Sequence, residues 1–322
     1  MRYRTLGRTG LEVSEVGFGA WGIGGSLWIG ADDDESLRAL RRAIELGVNF
    51  LDTAYGYGDG HSEQLVGTAA RESAERVYVA SKVPPKNWQW PARPGVTAEE
   101  TFPADWVVAC TEQSLRNLGL ETIDVQQFHV WRDDWLGQGD WLDGIERLKR
   151  DGKIRFFGVS LNDHEPENAV RLVESGLVDT VQVIYNVFDQ SPEDVLFPAA
   201  ERADVGVIAR VPFDEGALTG RIRPETTFPD GDFRNRYFAG DRKREVWERV
   251  QAIAADLDVP VERTAEVALR FCLSDPATDT VIPGMRSVRN VDRNVEAAAQ
   301  GPLDAEQLEK LRRHRWVRNF YG

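Results

Sequence analysis

Four side chains that could do chemistry lie at or just beyond the ends of three apolar runs. "NFLDTAYGYGDGHSE" carries Asp52 at the end of its run and Tyr57 shortly after, Lys82 ends "VYVASK", and His129 ends "DVQQFH". Alone, an aspartate usually caps a turn, a lysine is solvated, and a histidine is more often structural. Together at successive strand ends they would share one mouth in a parallel barrel. That set suits reduction of a carbonyl. Hydride addition builds negative charge on the carbonyl oxygen, which then needs a proton donor. A free tyrosine has a pKa of about 10 and donates poorly. A Lys82 ammonium beside Tyr57 is expected to lower that pKa, with Asp52 holding Lys82 charged and oriented. His129 would donate a hydrogen bond to the carbonyl oxygen. Such acid–base assistance is worth about 100- to 10,000-fold in rate, and in alcohol oxidation Tyr57 would act as the base.

The elements that must position these groups alternate along the chain. Strand candidates are "EVGFGA", "VNFLDTA", "RVYVASKV", "IDVQQFHV", "IRFFGVS", "TVQVIYN", "VGVIARV" and "DTVIPG". Most are continuous apolar runs, as parallel strands covered on both faces require. Between them come "DESLRALRRAIELG", "SEQLVGTAARES", "PADWVVACTEQSLRNLG", "WLDGIERLKRDG", "PENAVRLVESG" and "LFPAAERAD", several stopping at Gly. The pattern predicts an α/β fold, a (β/α)8 TIM barrel in one domain over 1–322. "YRTLGRTGLEV" reads as an N-terminal β-hairpin closing the barrel floor. Residues 84–103, rich in Pro and Trp, and the charged connection 212–241 read as long loops on the C-terminal face.

"VGFGAWGIGG" places Gly17, Gly19 and Gly22 at G-x-G-x-x-G spacing. In a dinucleotide-binding turn a helix opens at the third glycine. Here helix signals begin only at about Asp32 to Asp34, so the match reads as a decoy. Composition is that of a globular protein, with 42% hydrophobic and 29% charged residues among 322. A net charge of −14 argues against nucleic-acid and anionic-membrane partners. Cys110 and Cys272, the only cysteines, make neither a disulfide framework nor a thiolate metal site. With no apolar signal core and no membrane-length apolar stretch, a cytoplasmic protein is expected.

"FLDTAYGYGDGHSEQLVG" resembles the Asp-Thr-Ala-x-x-Tyr-Gly signature of the aldo-keto reductase family. The similarity runs from "YRTLGRTGLEVSEVGFGAWGIGG" to "VIPG" and the last helices. The resemblance implies a (β/α)8 barrel that reduces carbonyl compounds with NADPH, less often NADH, without a metal. It carries the family's catalytic tetrad onto Asp52, Tyr57, Lys82 and His129, with Tyr55 as the competing tyrosine. In "GVSLND", Ser160 matches a nicotinamide contact. Leu161 stands where the family has Asn, and Asn162 is the replacement one residue on. Gln182 in "VQVIYN" matches the glutamine holding the carboxamide, or is an inward polar residue of the barrel. In "ARVPFDEGALTGR", Arg210 replaces the aromatic residue that stacks on nicotinamide. Val211, Pro212, Phe213, Gly216, Leu218 and Gly220 follow on the loop expected to cross the pyrophosphate.

"IPGMRSVRNVDRN" matches the family's adenosine-phosphate segment, giving Gly284, Arg286, Ser287, Asn290 and Asn294 as cofactor contacts. Arg286, Arg289 and Arg293 read either as a clamp for the 2′-phosphate at a helix N-terminus or as a solvated helix face. Arg293 stands where the family commonly has Glu. Ten tryptophans are many for this length. Trp21, Trp28, Trp88 and Trp131 are expected to line the substrate pocket, with Trp90, Trp135 and the tail "RWVRNFYG" near it. Aromatic walls suit apolar carbonyls and sugar rings alike. The leading expectation is an NADPH-dependent reductase of an aldehyde, ketone or keto-sugar. Two readings stay open beside it: an NADPH-binding regulatory or redox-sensing subunit, and an epimerase or dehydratase recycling a tightly held cofactor.

Overall fold

The computed structural model describes residues 1–317, so Phe320 and Tyr321 of the aromatic tail lie outside the described residues. An antiparallel hairpin, β1 (Tyr3–Thr5) and β2 (Glu12–Ser14), opens the chain. Eight parallel strands follow in chain order: β3 (Phe18–Gly19), β4 (Phe50–Asp52), β5 (Tyr78–Val83), β6 (Ile123–Phe128), β7 (Ile154–Ser160), β8 (Thr180–Ile184), β9 (Gly206–Arg210) and β10 (Thr280–Val281). Each pairs with its sequence neighbours. Bridges from Val16 to Val281 and from Gly19 to Gly284 join the first strand to the last, so the sheet closes.

That seam explains the N-terminal glycines. A Cβ on Gly19 would sit 2.5 Å from the Ile282 carbonyl oxygen, so the two strands meet only around a residue without a side chain. After Gly22 the chain makes a short 3-10 turn and loop. The first α-helix is Asp33–Glu45, with Asp32 as N-cap accepting from the Glu35 N–H at 2.8 Å.

Alternation along the strands sorts the interior. Outward residues such as Leu51, Val79, Val83, Phe128, Val159 and Val181 join the large core beneath the helices. At the N-terminal end, inward Phe50, Ala80, Val125 and Ile208 cluster with Leu6, Leu11 and Val13 of the hairpin, which is the barrel floor. One step up, the inward positions turn polar: Asp52, Lys82, Gln127 and Gln182. The helices that cover the sheet include His61–Glu72, Ala104–Leu118, Trp141–Arg150, Arg242–Asp256, Thr264–Ser274 and Val288–Ala299.

Trp131 departs from expectation. It is fully buried outside the barrel, its ring 6.4 Å from Phe128, 5.8 Å from Trp135 and 5.3 Å from Trp141. Strand β6 stops at Phe128, and the loop after His129 turns Trp131 back over the outer core instead of toward the mouth. Both cysteines are free and buried. Among the described residues, no helix is long and apolar enough to cross a membrane, and no group of three His, Cys, Asp or Glu residues could hold a metal ion.

Candidate active site

A cavity of about 1220 Å³ opens at the C-terminal end of the strands. Asp52, Tyr57 and His129 line it, and Lys82 lies directly behind, fully buried. Lys82 Nζ donates to Asp52 Oδ1 at 2.5 Å and to the Thr53 carbonyl oxygen at 2.8 Å. It stands 4.9 Å from the centroid of the Tyr57 ring. The His129 ring lies 5.5 Å from the Tyr57 ring. The other Asp52 oxygen accepts from Gln182 Nε2 at 2.8 Å and Gln127 Nε2 at 3.2 Å. Gln127 was missed in the sequence. It sits two residues before His129 on β6 and so shares its face, which is the signal that could have found it. Tyr55, the competing tyrosine, does not line the cavity.

The electrostatics differ from simple expectation in one respect. Burial pushes the Tyr57 phenol above its ordinary pKa, and this outweighs the Lys82 cation, which acts to lower it. Tyr57 is therefore a neutral phenol at neutral pH, the form that gives a proton. For Lys82, burial opposes the charge, yet Asp52 and Tyr57 more than compensate and its pKa is raised. Burial, then the cations Lys82 and Arg210, hold His129 well below the usual imidazole value, so it is uncharged and acts as a neutral ring.

Most residues expected to hold a cofactor surround the same cavity: Ser160, Val211, Pro212, Phe213, Gly216, Gly220, Gly284, Arg286, Asn290 and Asn294. Gln182 also lines it. Its amide nitrogen is held by Asp52 and by Gln127 Oε1 at 3.2 Å, so it serves the inward polar layer as well. Arg210 lines the wall and bonds Asp163 Oδ1 at 2.5 Å and the Leu161 carbonyl at 2.9 Å. Its charge is thus matched by a carboxylate.

Three positions stand differently from the rest. The Leu218 side chain is in the core and its N–H bonds the Phe213 carbonyl at 3.0 Å. Ser287 is the N-cap of helix Val288–Ala299, its hydroxyl accepting from the Asn290 N–H, and it stands off the cavity. Asn162 reaches the cavity wall, but its amide pairs with the backbone of Ala92 in both directions at 3.1 Å. The N-terminus of that helix is itself partly occupied, because Glu35 Oε1 accepts from the Val288 N–H at 3.1 Å.

The cavity suits a nucleotide with phosphates. Arg221, Arg289 and Arg293 line it, exposed toward the cavity, and partial burial together with the other two cations lowers the Arg221 pKa. Asn294 Nδ2 is buried there without a hydrogen-bond partner among the described residues. A Cβ on Gly284 would meet nothing within 4 Å, so the backbone borders open space.

At the other end the walls are aromatic. Trp21 packs on Trp28 at 5.7 Å, on Phe233 at 5.3 Å and on Tyr57 at 6.3 Å. Trp88 and Trp90 lie 5.6 Å apart on the 84–103 loop, and Trp90 is 5.5 Å from His129. Of the tryptophans expected here, Trp21, Trp28 and Trp88 are present with Trp90, and Trp131 is not. Arg234, which the sequence did not single out, lies 4.6 Å over the Trp28 ring and is matched by Asp232 at 2.8 Å.

Comparison with known proteins bears on this architecture. Residues 15–315 match the profile of the Aldo/keto reductase family. The chain is 31% identical over 302 residues to aldo-keto reductase YhdN of Bacillus subtilis (strain 168), covering 89% of this chain and 85% of that protein. It is 29% identical over 317 residues to L-galactose dehydrogenase of Arabidopsis thaliana, covering 96% and 92%. Among solved structures, aldo-keto reductase AKR11C1 from Bacillus halodurans (holo form) superposes with a TM-score of 0.74 at 28% identity, covering 98% and 96% of the two chains. The glycerol dehydrogenase AKR11B4 from Gluconobacter oxydans gives a TM-score of 0.74 at 28% identity, covering 96% and 94%.

Proposed function

The chain belongs to the aldo/keto reductase family, and from that premise we propose that it reduces the carbonyl of an aldehyde, ketone or keto-sugar to an alcohol with NADPH. The observation that carries the reading is the convergence of Tyr57, Lys82, Asp52 and His129 at one end of the cavity. When bound, the reduced nicotinamide supplies a hydride to the carbonyl carbon. Ser160, Asn290 and Asn294 would hold the cofactor, with Gln182 presenting its amide to the same space. Arg221, Arg286, Arg289 and Arg293 would meet its phosphates. Among the described residues eight arginines and six acidic residues line the cavity, and the cluster of Arg221, Arg289 and Arg293 is the feature that favours NADPH over NADH.

The protein's own residues handle the proton. Tyr57, uncharged in its buried setting, gives the phenol proton to the carbonyl oxygen as charge builds there. The tyrosinate left behind faces the Lys82 ammonium, which Asp52 keeps in place. The phenolate regains a proton before the next turnover. His129, an uncharged ring, donates a hydrogen bond to the same oxygen and orients the carbonyl. The aromatic walls exclude water from the reacting atoms.

Tyr57→Phe keeps the ring packing and removes the proton. Turnover should fall by about 100- to 10,000-fold, while NADPH affinity measured by cofactor fluorescence stays within about twofold of the parent. A loss below tenfold would take the donor role from Tyr57.

A further inference from the structure

One amide ties the Trp-rich loop to the barrel. Asn162, 3% exposed, lies just beyond the end of β7. Its Oδ1 accepts from the Ala92 N–H at 3.1 Å and its Nδ2 donates to the Ala92 carbonyl at 3.1 Å. It therefore pairs with one residue of the 84–103 loop as a neighbouring strand would. The same Nδ2 donates to Glu165 Oε2 at 3.0 Å, an oxygen that Asn168 Nδ2 also holds at 2.6 Å. A carboxylate oxygen only accepts, so Glu165 fixes which way the Asn162 amide faces. The turn itself is anchored, since Arg210 at the end of β9 bonds Leu161 and Asp163 on either side of Asn162.

Two residues before Ala92 stands Trp90. With 40% of its surface exposed, it is not held by burial in the core. Its ring nonetheless meets His129 edge to face, 5.5 Å between centroids at 84°. Trp21, Tyr57, His129 and Trp90 form a continuous row of rings, each 5.5 to 6.3 Å from the next. The two groups that handle the carbonyl oxygen thus lie between two indoles. The Arg234 charge beside this row is matched by Asp232.

We propose that Asn162 is a positioning residue that sets Trp90 against His129, and that it thereby makes the site select carbonyl compounds bearing a ring over short acyclic ones. The selection rests on the reductase reading above; the clamp does not. A ring flanking the carbonyl gains apolar burial against Trp21 and Trp90. A three-carbon aldehyde has little surface to place there.

The test compares the parent with Asn162→Ala, Trp90→Ala and the double variant, using benzaldehyde and glyceraldehyde with NADPH. Asn162→Ala should lower kcat/KM for benzaldehyde about tenfold, chiefly through KM, and for glyceraldehyde less than about twofold. NADPH affinity should be unchanged. The double variant should be no worse on benzaldehyde than Trp90→Ala alone, because both changes act through one ring. A readout independent of turnover is tryptic cleavage after Lys86, exposed near the start of the loop, which should be faster in Asn162→Ala. Equal losses on both aldehydes, or additive losses in the double variant, would overturn the selection. Unchanged cleavage at Lys86 would overturn the clamp. If Asn162→Ala does not fold, Glu165→Gln should show the same bias in smaller degree. If the parent reduces neither aldehyde, the selection fails as stated; reduction of a ketone or keto-sugar panel then decides the functional reading, and the cleavage comparison decides the clamp.

Discussion

Replacing Lys82 by Met separates what the buried ion pair does for the fold from what it does for the reaction. Lys82 and Asp52 are both essentially inaccessible to solvent, 2.5 Å apart. In Lys82→Met the Asp52 carboxylate keeps only the amides of Gln127 and Gln182. Removing one partner of a buried pair costs about 3 to 5 kcal/mol. The two remaining donors put the expectation at the lower end, about 3 kcal/mol. Adding Asp52→Asn removes the stranded charge, and the double variant should recover about 2 kcal/mol of that loss. Activity should not follow. Without the ammonium nothing stabilises the tyrosinate, so turnover in both variants should be down by about 100-fold or more. Urea denaturation followed by circular dichroism gives the stabilities, and NADPH absorbance with a carbonyl panel gives the rates. A double variant no more stable than Lys82→Met would refute the stranded-charge argument. Recovery of activity along with stability would show that Lys82 acts on the fold alone.

Three further outcomes follow from the site. Since burial raises the Tyr57 pKa and His129 is held well below 6.5, reduction should be nearly flat from roughly pH 6 to 9, whereas alcohol oxidation, which needs the phenolate, should climb with pH; an acidic limb near pH 6.5 that vanishes in His129→Gln would contradict this. Asp214, buried with its Oδ1 accepting from Tyr237 at 2.7 Å, has its pKa raised to about 6 by burial. The native state then binds more protons than the unfolded one between about pH 4 and 6, so the carboxylate costs stability as pH rises through that window. Asp214→Asn should be more stable than the parent by about 2 kcal/mol at pH 8 and by little at pH 4, read from denaturation at the two pH values. Arg289→Ala combined with Arg293→Ala should raise the NADPH dissociation constant about tenfold or more and change that for NADH far less; equal effects on the two would remove these arginines from the 2′-phosphate.

Much of the barrel was legible because parallel strands write themselves as apolar runs, and the polar residue that ends each run stands at the shared rim. Asp52, Lys82 and His129 needed no more than that. The glycines of the first strand were correctly set aside as a nucleotide turn, but their real task, closing the seam at Gly19, depends on a strand more than 260 residues away. Trp131 was expected at the mouth because it follows a strand end, but a loop there can also turn back over the outer core, where Phe128 and Trp141 cover it. The placement of Ser287 as an N-cap and of Leu218 in the core was not legible, because a capping hydroxyl and a core leucine look the same in sequence as ligand contacts. The role of Asn162 is set by Ala92, and no local pattern announces a partner 70 positions away.

The hairpin beneath the strands governs traffic. With Leu6 and Leu11 stoppering the lower end, two ligands of this cavity would both come and go by the upper face, past the tryptophans and the arginines. A spent molecule of one kind could then detain the other, and the sequence of departures would become part of the turnover rate. Engineering for speed would look to that shared face before the reacting centre itself.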